Sequence, residues 1–344
     1  MRKRLLALVL MLIAAINTFA YDFESKGIYY NILSEEEHTC EVAKPDDSYY
    51  TFSMKEHTCE VTYGSGNHNG YSGDIVIPSV VQYGAMSYTV VGIGKYAFQE
   101  IPFLEEERVT SVCIPSSVTT IGAYAFSGCT SLTSLSGIPS SITTIEAGTF
   151  KGCTGLTSLS GLPSGITTIE GSAFENCTGL TSLSGLPSSV TTIGGGAFLD
   201  CTGLTSLSGL PLGVTTIGGY AFSGCTGLTS LSGLPSGITT IENGTFSGCT
   251  GLTSLSGLPL GVTTIGNGTY TCQSGAFSDC TGLTSLSGIP SSVTTIGENA
   301  FSGCTGLTSL SGIPSSVTTI GRYAFDRCTG LTSLSGLPSG VTAI

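Results

Sequence analysis

The residues best equipped for chemistry stand near the start of the chain, in a phrase that occurs twice: Glu-His-Thr-Cys-Glu-Val at 37–42 and again at 56–61. His38 and Cys40 are two residues apart, as are His57 and Cys59. That spacing puts both side chains of a pair on one face of a strand. Two imidazoles and two thiols form the donor set of a tetrahedral zinc site. The same residues also fit a disulfide between Cys40 and Cys59, or paired strands with free thiols, and the sequence leaves all three open. A second set of thiols, Cys129, Cys153, Cys177, Cys201, Cys225, Cys249, Cys280, Cys304 and Cys328, runs through the rest of the chain at a step of 24 residues with one step of 31. Stacked strands lie about 4.8 Å apart, which is bridgeable. A small apolar group at one recurring position is equally what a packed core needs, so the ladder reads as buried, inert thiols.

Catalysis has no comparable support. The three histidines, His38, His57 and His68, all precede the thiol ladder. The sequence holds no His-Glu-x-x-His, no Gly-x-Ser-x-Gly and no phosphate loop. Glycines such as those of TIGGGAF at 192–198 are too irregular for a dinucleotide loop. The sequence therefore reads as a non-enzyme without a cofactor. A net charge of −12 over 344 residues excludes nucleic acid, which needs a basic footprint.

The thiols belong to a larger repetition. CTGLTSLSGLP at 153–163 returns unchanged at 177, 201, 225, 249 and 328, with near copies at 129, 280 and 304. Alignment on Phe126, Phe150, Phe174, Phe198, Phe222, Phe246, Phe277, Phe301 and Phe325 gives the same step, a period that signals a solenoid. Within one copy the apolar positions are Val190, Ile193, Ala197, Phe198, Cys201, Leu204, Leu207 and Leu210. Gly, Ser and Thr fill the gaps and Pro211 closes the unit, so helix propensity is poor. A single copy buries too little to fold alone, and stacking must supply the rest.

Leu204-x-x-Leu207 followed by Leu210 is the pattern of a leucine-rich repeat. It predicts Thr-Ser-Leu-Ser as the strand that pairs between copies, with Leu inward and the serines outward. Gly209 fits a bulge or turn after it. Ser158, Ser160, Ser182, Ser184, Ser206, Ser208, Ser230 and Ser232 would then form two columns of hydroxyls, a candidate ligand-binding face. An insertion, NGTYTCQSG, separates Gly266 from Ala276. Inserted residues leave a solenoid as loops, and Tyr270 in this one is a candidate contact beside Cys272.

At this level the chain resembles a known family. IPSSVTTIGAYAFSGCTSLTSL at 114–135 is similar to the consensus of BspA-type leucine-rich repeats of surface and secreted proteins, and IVIPSVVQYGAMSYTVVGIGKYAF at 75–98 resembles a looser opening copy. The resemblance implies a curved solenoid with a role in binding or adhesion. One departure stands out: Val112-Cys113-Ile114-Pro115 runs straight from strand to proline, whereas later copies insert Ser-Gly.

The expected fold is a repeat solenoid, a right-handed, β-rich leucine-rich-repeat array with a small β-rich N-terminal cap. Residues 1–20 read as a signal peptide, with Met1-Arg2-Lys3-Arg4, an apolar run from Leu5 to Ile16, and cleavage near Ala20. Residues 21–74 form the cap region, 75–113 a degenerate opening repeat, and 114–344 the array, open at its C-terminal end. The protein is expected to be secreted or on the cell surface, not membrane-spanning, and to engage an extracellular protein or glycan, including host molecules. Self-association through the uncapped end is a further expectation. The alternative is a structural spacer or coat without a specific ligand.

Overall fold

A computed structural model describes residues 23–25, 28–34, 39–43, 73–83, 85–100, 108–266 and 274–342. Among them no helix is long and apolar enough to cross a membrane. The expected signal peptide, His38, His57, Cys59, Tyr270 and Cys272 lie outside the described residues.

The N-terminal part is a sheet of ordinary strands: β1 (Phe23–Ser25), β2 (Ile28–Ser34), β3 (Thr39–Ala43), β5 (Val80–Tyr83) and β6 (Met86–Ile93). Its order is β1-β2-β3-β6-β5. The β1–β2, β2–β3 and β5–β6 pairs are antiparallel, and β3–β6 is parallel. Cys40 sits opposite Ile32 on one side and Val90 on the other. Strand β6 then changes role, because Gly92 and Ile93 pair in parallel with Thr120 and Ile121. The sheet thus hands its edge to the array, and Val91-Gly92-Ile93-Gly94 stands where later copies have Thr-Thr-Ile followed by Gly or Glu.

From Thr120 onward the strands shrink to Thr-Ile dipeptides. Thr144, Thr168, Thr192 and Thr216 stack in one parallel run, and Thr240, Thr264, Thr295 and Thr319 in a second. Each Ile points into the core and each Thr outward, as alternation on a strand requires. The β-branched Val-Thr-Thr-Ile run suits extended backbone.

This corrects the expected strand. Thr-Ser-Leu-Ser is not the principal ladder of the array. Its counterpart pairs as a strand where the opening copies meet: β7 (Val109–Cys113) runs parallel to β4 (Gly73–Val76). Those copies lack the Ser-Gly insertion. In later copies the inserted glycine takes a φ near +103, as at Gly209, which an L side chain rarely adopts, and it turns the chain out of the ladder. Sparse backbone bonds remain, such as Thr229 N–H to the Thr205 carbonyl at 3.3 Å.

A second ladder lies after the Thr-Ile strand. In residues 196–201 the backbone donates alternately to the next copy and to itself. Gly196, Phe198 and Asp200 donate to Gly219, Ala221 and Ser223 at 2.8–2.9 Å, while Ala197, Leu199 and Cys201 donate three residues back. Buried backbone is thereby satisfied without long strands.

All eight apolar positions predicted from one copy are buried. The phenylalanines stack from Phe98 to Phe325 with ring centroids 5.3–5.7 Å apart. The step from Phe246 to Phe277 is 5.4 Å, so the insertion leaves the rung spacing intact.

Candidate binding surface

The thiol ladder is part of this core. Each of the nine cysteines is buried and free. Each Sγ donates to the carbonyl of the phenylalanine in the preceding copy at 3.0–3.3 Å, from Cys129 on Phe98 to Cys328 on Phe301. Burial pushes Cys201 and Cys280 up to about 12 and the others in the same direction. These thiols therefore stay protonated and unreactive at ordinary pH. Cys113 is free and exposed. The described residues hold no metal-ligand cluster.

The serines come together as expected in position. Leu159, Leu183, Leu207 and Leu231 are buried, and the serine on either side is exposed or half-buried. Within each copy the two hydroxyls bond to one another: Ser158 to Ser160, Ser182 to Ser184 and Ser230 to Ser232 at 2.9 Å, and Ser206 to Ser208 at 2.6 Å. The result is an ordered, neutral column in which much hydrogen-bonding capacity is already used.

A different face carries the features that set copies apart. Among the described residues ten non-glycine residues have positive φ, and all occupy two positions of the repeat. Tyr96, Tyr124, Ser172, Tyr220, Asn299 and Tyr323 stand two residues before the core phenylalanine. Asn176, Asp200, Asp279 and Arg327 stand just before the cysteine. The left-handed conformation costs a non-glycine residue roughly 1–2 kcal/mol, and all of them but Tyr323 and Arg327 in the last copy donate their N–H forward to the next copy. The tyrosines lean along the solenoid. Tyr96 stacks on Tyr124 at 5.3 Å, and Tyr124 and Tyr220 cover Gly148 and Gly244 of the following copies, where a Cβ would strike the ring.

The charge is on the same face. From Ile114 onward the array has eight acidic and three basic residues. All eight acids, among them Glu146, Glu170, Asp200, Glu242 and Asp279, fall between the Thr-Ile strand and the cysteine. Lys151 pairs across copies with Glu175 at 2.9 Å. Sequence reading missed this face because Tyr, Asp and Arg there do not announce a left-handed backbone. The signal available was the recurrence of tyrosine at one position every fourth copy, at 124, 220 and 323. Two further departures sit at a corner, where Leu212 and Leu260 replace the serine that follows proline in the other copies and are 87% and 84% exposed.

Known proteins resemble this chain on both counts, sequence and fold. A family model described as the BspA type leucine rich repeat region matches in six copies over 91–209, 182–274 and 264–344. A solved leucine-rich repeat protein from Bacteroides ovatus is 29% identical, with a TM-score of 0.63 over 91% of this chain and 82% of that one. A leucine rich cell surface protein from Faecalibacterium prausnitzii is 27% identical, with a TM-score of 0.49 over 90% of this chain and 86% of that one. No curated protein was found to match.

Proposed function

The chain belongs to the BspA-type leucine-rich repeat family, and from that premise we propose that it is a non-enzymatic binding protein, secreted or held at the cell surface, that engages extracellular protein or glycan through the solenoid. The N-terminal sheet closes one end of the array, and residues 1–20 direct export. The observation that carries the reading is the stacking itself: at least nine copies present the same surface positions at a rung of about 5.5 Å. Contacts that are weak singly add along such an array.

The test is solid-phase binding of the mature chain to a panel of extracellular matrix proteins and host glycans, beside a chain lacking residues 153–200. That deletion removes two whole copies and joins Gly152 to Cys201 in frame. Saturable binding that weakens in the shorter array is expected. Absence of saturable binding by both folded chains would overturn the reading in favour of a passive spacer or coat.

A further inference from the structure

Among the described copies the Thr-Ile ladder closes at every junction but two. The residue that opens each Thr-Thr-Ile run donates its N–H to the copy before it at Thr119, Thr167, Thr191, Thr215, Thr263, Thr294 and Thr318, at 2.8–3.0 Å. Thr143 and Thr239 make no such bond. Thr120-Ile121 accordingly does not pair with Thr144-Ile145, nor Thr216-Ile217 with Thr240-Ile241, which leaves two runs of four rungs. The turn ladder crosses both seams intact. Tyr124, Phe126 and Gly128 donate to Ala147, Thr149 and Lys151 at 2.7–2.9 Å, and Phe222 and Gly224 to Thr245 and Ser247 at 2.9 and 2.7 Å. The phenylalanine stack also continues, at 5.5 and 5.7 Å. Each seam is thus held on one side and open on the other.

The two copies that follow the seams share one core substitution. The residue before the core phenylalanine is alanine at 97, 125, 173, 197, 221, 276, 300 and 324, and threonine at 149 and 245. Both threonines are buried, at 0% and 1% exposure, in a position that alanine already fills. Their hydroxyls donate to the Glu146 and Glu242 carbonyls at 2.8 Å, and those carbonyls directly follow the Thr-Ile strands. Two extra heavy atoms in a close-packed core force the adjoining backbone to shift. Other features of these copies do not open a seam. Ile166 and Glu170 repeat the isoleucine and glutamate of the seam copies, yet Thr167 bonds to the Thr143 carbonyl at 2.8 Å. Tyr96 precedes a closed rung, because Ile93 pairs with Ile121. The insertion after Gly266 is several copies away from the first seam.

We propose that the two seams are hinges set by Thr149 and Thr245: the solenoid bends there by parting on the Thr-Ile side about the closed turn ladder, while each run of four rungs moves as a rigid block. The hinge is a property of the array alone and does not depend on the reading of the chain as a binding protein. Its consequence for any partner lying along more than four rungs is a surface whose curvature adjusts to it.

The experiment is a pulsed electron resonance distance measurement on the full chain, with spin labels carried on a keto amino acid so that the native thiols are left alone. Labels at the exposed positions 143 and 215 lie three rungs apart within one block, about 15 Å at strand spacing. Labels at the exposed positions 119 and 191 lie three rungs apart across the first seam. The distance distribution across the seam is expected to be roughly twice as wide, as relative motion of two bodies requires. Thr149→Ala gives this copy the residue of its neighbours, and is expected to narrow the 119–191 distribution to the width of the 143–215 pair. Ala197→Thr, in the converse direction, is expected to open a seam inside the block and widen the 143–215 distribution. Thermal unfolding checks that each variant is folded. Equal widths for the two pairs in the unaltered chain would overturn the proposal, and so would a wide 119–191 distribution that survives Thr149→Ala.

Discussion

The N-terminal sheet and the array solve the same problem, satisfying a buried backbone, in opposite ways. The sheet uses strands of up to eight residues paired along their length, as in β6. The array uses strands of two residues and makes up the difference with turns that alternate between bonding the next copy and bonding themselves. In the sheet a residue depends on partners along two strands. In the array it depends on identical neighbours before and after it, so one defect weakens two interfaces.

The largest expected effect tests that dependence. Phe222→Ala should cost about 3–5 kcal/mol, and hydrogen exchange should show lost protection in the copies on both sides. Val90→Ala in β6 removes less buried surface and should cost about 2 kcal/mol, with the loss confined to the sheet. Equally local losses would erase the distinction.

Glycine at the inserted turn gives the next contrast. A Cβ at Gly209, φ +103, would meet the backbone nitrogen of Ser184 at 2.5 Å, whereas at Gly213 the nearest atoms are 3.8 Å away. Gly209→Ala should cost on the order of 3 kcal/mol and Gly213→Ala less than about 0.5 kcal/mol, read as urea midpoints. Alkaline pH should act next. The buried thiols have folded-state pKa values above those of the unfolded chain, with Cys201 at about 12. Their contribution is complete below about pH 8.5 and is lost as pH rises from there toward 12. The urea midpoint of the array should fall over that window, and Cys201→Ala should flatten the fall. At pH 8 Cys113 should react with iodoacetamide at once, and the ladder only as fast as the array opens. Last and smallest, Ser172→Gly relieves a left-handed residue, φ 57, and should raise stability by about 0.5 kcal/mol, since glycine's extra unfolded-state entropy offsets part of the gain.

Much of the array was legible because its core is periodic. Val190, Ile193, Phe198, Cys201 and Leu207 recur at fixed offsets and all are buried. Which apolar segment pairs as the strand was not legible, since Leu-x-x-Leu and Val-x-x-Ile offer the same period and the choice turned on the backbone angle of a glycine such as Gly209. The serine columns followed from alternation around Leu159 and its equivalents, but the mutual bonding of Ser158 and Ser160 depends on rotamers that sequence does not specify. The acidic tyrosine face was hidden because it is where copies differ, and a consensus averages it away.

Because the N–H groups of Gly196, Phe198 and Asp200 donate to residues 23 positions further on, the sequence separation of contacts does not grow with the number of copies. Loop closure costs the same entropy for each added rung, and a longer array gains no slower search. Folding can then begin where two copies first meet and advance one rung at a time, at the pace at which the chain leaves the ribosome.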